Sequence, residues 1–144
     1  MEKLHLISAD TLFYQPLDHP KMLIDGILSN GLAILSGDSK IGKSWMVLWL
    51  CLKISMGEPV WGLPTAQTDV IYLALEDNDW RIQQRMQELI DEPPKNLHFG
   101  FSCGKLGAEL EGQIKGVLED NPNTGLLFID TLQMVRDNVS SRVN

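Results

Sequence analysis

Gly37 is followed by four residues and then by Gly42-Lys43-Ser44. The run Gly37-Asp38-Ser39-Lys40-Ile41-Gly42-Lys43-Ser44 therefore meets every required position of the pattern G-x-x-x-x-G-K-[ST]. Each required residue type has a chemical reason. Gly37 lets the chain turn sharply off a strand, and Gly42 lets the backbone approach an anion without a Cβ in the way. Successive N–H groups then form an anion nest at the positive end of the following helix. Lys43 adds a mobile point charge for β and γ phosphates, and the Ser44 hydroxyl is suited to a magnesium coordination position. All eight residues are nucleotide-binding candidates, and ATP and Mg2+ are the implied cofactors. Lys40 reads as a solvated loop charge, with a phosphate contact as the other option.

Two carboxylates stand at the ends of apolar runs. Leu126-Leu127-Phe128-Ile129 delivers Asp130 to the carboxyl edge of a sheet, where ligands bind in open α/β folds. A strand-end carboxylate there holds magnesium, usually through water. Ser44 and Asp130 are thus the metal candidates; the structural alternative for Asp130 is a cap on the next segment. Val70-Ile71-Tyr72-Leu73-Ala74-Leu75 ends in Glu76, a candidate general base that would orient or activate an attacking water. Glu76 and Lys43 are the catalytic candidates. Asp77 competes with Glu76, because strand alternation sends the two side chains opposite ways; for both, charge complementing a helix N-terminus is the alternative. Arg81 and Arg85 share a helix face. They read as a solvated face paired with Asp77 or Glu88, rather than as contacts to phosphate or to a neighbouring subunit. Trp45 and Trp49 read as core.

The elements that must position these residues alternate. Residues 1–22 are expected to be irregular, with Pro16 and Pro20 discouraging regular structure. Met22–Leu28 and Leu32–Leu35 flank Ser29-Asn30-Gly31, a hairpin or tight-turn signal leading into the glycine loop. A helix is predicted over 43–56, apolar on nearly all faces, with Gly57 just past its end. A strand over 69–75, a helix over 78–91 with Asn78 as N-cap, a strand over 97–101, a helix over 106–119 and a strand over 125–130 follow. Strands alternating with helices imply parallel βαβ units, and continuous apolar strands imply a sheet covered on both faces. The predicted class is α/β, a three-layer αβα P-loop NTPase fold with a mainly parallel sheet. Residues 23–144 would form the N-terminal part of its domain.

The 144 residues suffice for one domain with a core, and the apolar fraction of 44% is ordinary for a globular chain. A net charge of −7 without a basic cluster argues against a general nucleic-acid-binding module. Cys51 and Cys103 form no disulfide framework, and the three histidines have no zinc spacing. No apolar stretch reaches signal-peptide or membrane-span length, so a cytoplasmic protein without a membrane partner is expected.

The phosphate loop, the strand ending in Glu76-Asp77, the run Leu127-Phe128-Ile129-Asp130-Thr131-Leu132 and the tract Met22–Gly31 together resemble the RecA-like ATPase domain of hexameric replicative helicases. Within that family they resemble the plasmid RepA-like group and its AAA-type relatives. The resemblance spans about residues 20 to 136. It implies that Glu76 matches a catalytic glutamate and Asp130 a magnesium-site aspartate. It also implies a homo-oligomeric ring, hexameric in the full-length protein, with an arginine finger from a neighbour and single-stranded DNA in the channel. The sequence stops soon after Asp130 and is expected to be a domain truncated after that strand. Neither Arg136 nor Arg142 is assigned as the finger. Because a finger is worth about 10³–10⁵ in rate, this chain alone is expected to bind nucleotide and turn it over slowly. Two other readings remain: an ATP-binding regulatory or oligomerisation module with little hydrolysis, and a P-loop small-molecule kinase. The kinase would need a lid with arginines, and the stretch Phe101–Gly116 offers none.

Overall fold

The computed structural model describes residues 3–136. Its elements run α1 (Ala9–Tyr14), β1 (Met22–Ile24), β2 (Leu28–Ser29), α2 (Lys43–Met56), β3 (Asp69–Ala74), α3 (Asp79–Leu89), β4 (Leu97–Gly100), α4 (Ala108–Asp120), β5 (Thr124–Asp130) and α5 (Leu132–Val135). The last three major strands form one parallel sheet in the order β4-β3-β5. In it Tyr72 stands opposite Phe99 and Phe128, and Ala74 opposite Asp130. The expected α/β class is therefore present, with a parallel sheet and helices compatible with a P-loop NTPase-like fold.

Alternation along β3 sorts the two faces. Val70, Tyr72 and Ala74 join Leu48, Cys51, Leu52 and Ile54 of α2 in one buried cluster. Leu73 of β3 and Leu127 of β5 face the other way, toward Leu110, Ile114 and Val117 of α4, across a small cavity of about 170 Å³. Burial of α2 on nearly all sides follows from its composition, and each fully buried Leu or Ile contributes about 2 kcal/mol. Gly57 ends it as expected, at φ 68°, with its N–H donating to Ile54 and Lys53 carbonyls. Asn78 caps α3, its Oδ1 accepting from the Arg81 N–H at 2.9 Å.

Three expectations need correction. The N-terminal segment is not wholly irregular, since Ala9–Tyr14 closes a short helix after Ser8. The hairpin turns at Asp25-Gly26-Ile27, with Gly26 at φ 73°, rather than at Asn30-Gly31. The reason is a third partner: the Asp25 N–H donates to Pro64 O and the Ala66 N–H to Leu23 O, both at 2.9 Å, so β1 is fixed between β2 and residues 64–66. Leu32–Leu35 forms no strand, and Leu32 and Ile34 are 96% and 78% exposed. The two edges of β3 are taken by β4 and β5, and no described segment offers this run a ladder of backbone partners.

Candidate functional site

The glycine loop enters α2 through Gly42, at φ 89° and ψ 18°, and Lys40 also lies in the left-handed region at φ 62°. No side chain caps α2, and the first backbone bond of the helix runs from Met46 N to Gly42 O. The N–H groups of its first turn thus have no partner within the helix, the condition for an anion nest. The Lys43 side chain folds back over the loop, its Nζ donating to Gly37 O at 2.6 Å and to Asp38 O. Gly37 lies outside the left-handed region. A Cβ there would meet the Ile41 Cδ1 at 2.8 Å, the far end of an exposed side chain that can swing aside. Asp38, Ser39, Lys40 and Ile41 complete an exposed loop.

Ser44, in the first turn of α2, reaches across to the tip of β5. Its Oγ donates to Asp130 Oδ2 at 2.7 Å. The same carboxylate oxygen accepts from the Tyr72 hydroxyl at 2.8 Å. Register explains that second bond: Tyr72 lies opposite Phe128, so Asp130, two residues further along, is its diagonal neighbour on the same face. Burial, the Asp130 hydrogen bond and the Asp130 charge, in that order, push the Tyr72 phenol far above its ordinary value, so it stays protonated and remains a donor. Sequence reading took Tyr72 for part of an apolar strand. The signal available was a lone phenol in an otherwise aliphatic run, since a buried hydroxyl requires a partner.

Glu76 and Asp77 part company, as expected, but through a turn after Ala74 rather than through strand alternation. Glu76 stays at the carboxyl edge, where its Oε1 accepts from Thr131 Oγ1 at 3.1 Å. Leu75 N–H donates to Asp130 O at 2.9 Å, which ties the two strand ends together. Asp77 turns beneath α3. Its Oδ2 pairs with Arg85 Nη1 at 2.5 Å and its Oδ1 lies 3.4 Å from Arg81 Nη1. The pairing with Asp77 is the one expected, and Arg81 is solvated at 52% exposure; Arg85 and Asp77, at 18% and 9%, are more covered than a solvated face implies. The Arg85 guanidinium also lies over the Trp45 ring, 5.2 Å from its centroid. Trp45 is accordingly 37% exposed and sits under an arginine, outside the core in which it was expected; Trp49 packs against the core cluster.

The structure thus brings Lys43, Ser44, Asp130 and Glu76 to one end of the sheet, while Arg85 is committed to Asp77 and the half-exposed Arg81 lies beside it. Arg142 lies outside the described residues. No group of three or more His, Cys, Asp or Glu side chains is placed to hold a metal among the described residues. A hydroxyl and a single carboxylate oxygen pair is nonetheless the donor set magnesium takes when phosphates and water supply the rest. Ser44 and Asp130 fit that ion.

The family model described as AAA domain matches residues 2–143. The chain belongs to this family, the AAA-type ATPases, which are RecA- and P-loop-like. Membership suggests ATPase-type activity and implies nucleotide binding. No match was found among curated proteins or among solved structures. Among the described residues no helix is long and apolar enough to cross a membrane.

Proposed function

We propose that this chain is the ATP-binding and ATP-hydrolysing domain of a DNA helicase or replication-type motor, RecA-like in topology and working with Mg2+ in the cytoplasm. The observation that carries the reading is the 2.7 Å bond between Ser44 and Asp130, which joins the start of the loop helix to the tip of β5. The free N–H groups at the start of α2 and the Lys43 ammonium would neutralise β and γ phosphate oxygens. Ser44 and Asp130 would hold magnesium, whose charge, when it is bound, offsets that of the phosphates. Glu76 would accept a proton from the attacking water, with Thr131 holding one of its oxygens. The same reading makes residues 23–144 the N-terminal part of the domain and residues 1–22 a leading segment.

In the full-length protein the domain would work as a homo-oligomeric ring of six around single-stranded DNA, with an arginine from a neighbour completing the site. Two features support contributions from outside. Arg85 is bound to Asp77 and Arg81 lies beside the same carboxylate, and the net charge of −7 leaves DNA contacts to other surfaces.

Calorimetric titration of ATP into Lys43→Ala tests the reading directly. Removing a charge-assisted contact should weaken binding at least about tenfold. Unchanged affinity would end the proposal. In the same series, Glu76→Gln should abolish turnover while leaving MgATP affinity intact, an outcome the non-hydrolysing regulatory module does not predict.

A further inference from the structure

Tyr72 is buried on the central strand, with its ring set between Phe99 and Phe128 at centroid distances of 5.8 and 6.4 Å. A phenylalanine would fill nearly the same space without burying a hydroxyl, which is unfavourable unless the hydroxyl finds a partner. The partner here is Asp130 Oδ2, at 2.8 Å. Ser44 donates to that same oxygen, at 2.7 Å. Two donors on one oxygen fix the carboxylate plane, because rotation of the group would break both bonds. Among the described residues Oδ1 is left without a hydrogen-bond partner. The two donors differ in kind. Ser44 stands in the first turn of α2, directly after the exposed loop, whereas Tyr72 is anchored in the core on β3.

We infer that Tyr72 is a positioning residue for the metal site, its buried hydroxyl orienting Asp130 so that Oδ1 faces magnesium or its water shell. The inference rests on the reading of Ser44 and Asp130 as the magnesium pair. It adds a residue that touches neither nucleotide nor metal. Outer hydrogen bonds to metal-binding groups are commonly worth tenfold or more in metal affinity.

The test is a pair of ATP titrations, one with magnesium and one with excess chelator, on wild type, Tyr72→Phe and a protein carrying 4-fluorophenylalanine at position 72. The fluorinated ring restores much of the lost volume but cannot donate a hydrogen bond. The ratio of the two affinities measures the magnesium contribution. A purely structural role of Tyr72 would not change that ratio selectively. The expected result is that both replacements lower the magnesium contribution by about tenfold and leave metal-free ATP affinity unchanged. Added to Asp130→Asn, Tyr72→Phe should have no further effect on the ratio. An unchanged ratio in Tyr72→Phe, or recovery by the fluorinated ring, would overturn the inference while leaving the ATPase reading intact. Absence of any magnesium contribution in wild type would instead remove the reading on which it rests.

Discussion

Gly42 holds its left-handed conformation at the junction where an exposed loop becomes a buried helix, and a Cβ built on it meets nothing within 4 Å. The demand on this residue is therefore backbone strain, with no crowding from neighbours. Gly42→Ala should lower stability by about 1 kcal/mol, read from the denaturant midpoint. It should lower ATP affinity by more than this, because the methyl group would occupy the side from which phosphate approaches the N–H groups. An unchanged ATP affinity would mean that the glycine serves the fold alone. The candidate site was largely legible at this scale, since Gly42, Lys43 and Ser44 declare themselves by type and spacing. Tyr72 was not. Its partner lies 58 residues away, and only the register between β3 and β5 brings the two together.

Among elements, α3 is tied to the site by charge as well as by packing. Asp77, from the turn after β3, accepts a hydrogen bond from Arg85 of α3, with Arg81 3.4 Å away, and Arg85 covers Trp45 from α2. Removing one member of so covered a pair leaves the other without compensation. Arg85→Ala should destabilise the protein by about 2–3 kcal/mol, somewhat below the usual cost for a fully buried pair because Arg81 remains near Asp77. Arg85→Lys should recover part of that loss and not all of it, since an ammonium lacks the planar face that lies on the indole. Urea unfolding of the two variants checks both statements. The elements themselves were readable wherever their signals are local. Asn78 and Gly57 mark helix ends, and the apolar runs of β3 and β5 stand out from their flanks. The hairpin was misplaced because Asp25-Gly26-Ile27 and Asn30-Gly31 both accommodate a glycine at positive φ, and the decision came from residues 64–66. Leu32–Leu35 failed for a related reason: an apolar sequence is not a strand until another backbone supplies its hydrogen bonds.

Over the whole molecule, the two thiols divide the described structure into an inside and an outside. Cys51 is fully buried on α2, and burial pushes its thiol far above the ordinary value; Cys103 is only partly covered, its thiol raised more modestly by desolvation. Alkylation of the native protein, followed by mass spectrometry, should therefore mark Cys103 first. Cys51 should react only through opening of the core, at least about a thousandfold more slowly for a domain of ordinary stability. Comparable rates at the two positions would mean that the helix behind the phosphate loop does not stay packed. The same helix carries Trp45 immediately after Ser44, with the Arg85 cation resting on its indole. An intrinsic fluorophore is thereby wired between the loop and α3, and its emission should register any shift of the guanidinium that accompanies a change at the loop. With Trp49, Trp61 and Trp80 replaced by phenylalanine, the protein would carry its own optical probe of the phosphate end, with no dye attached.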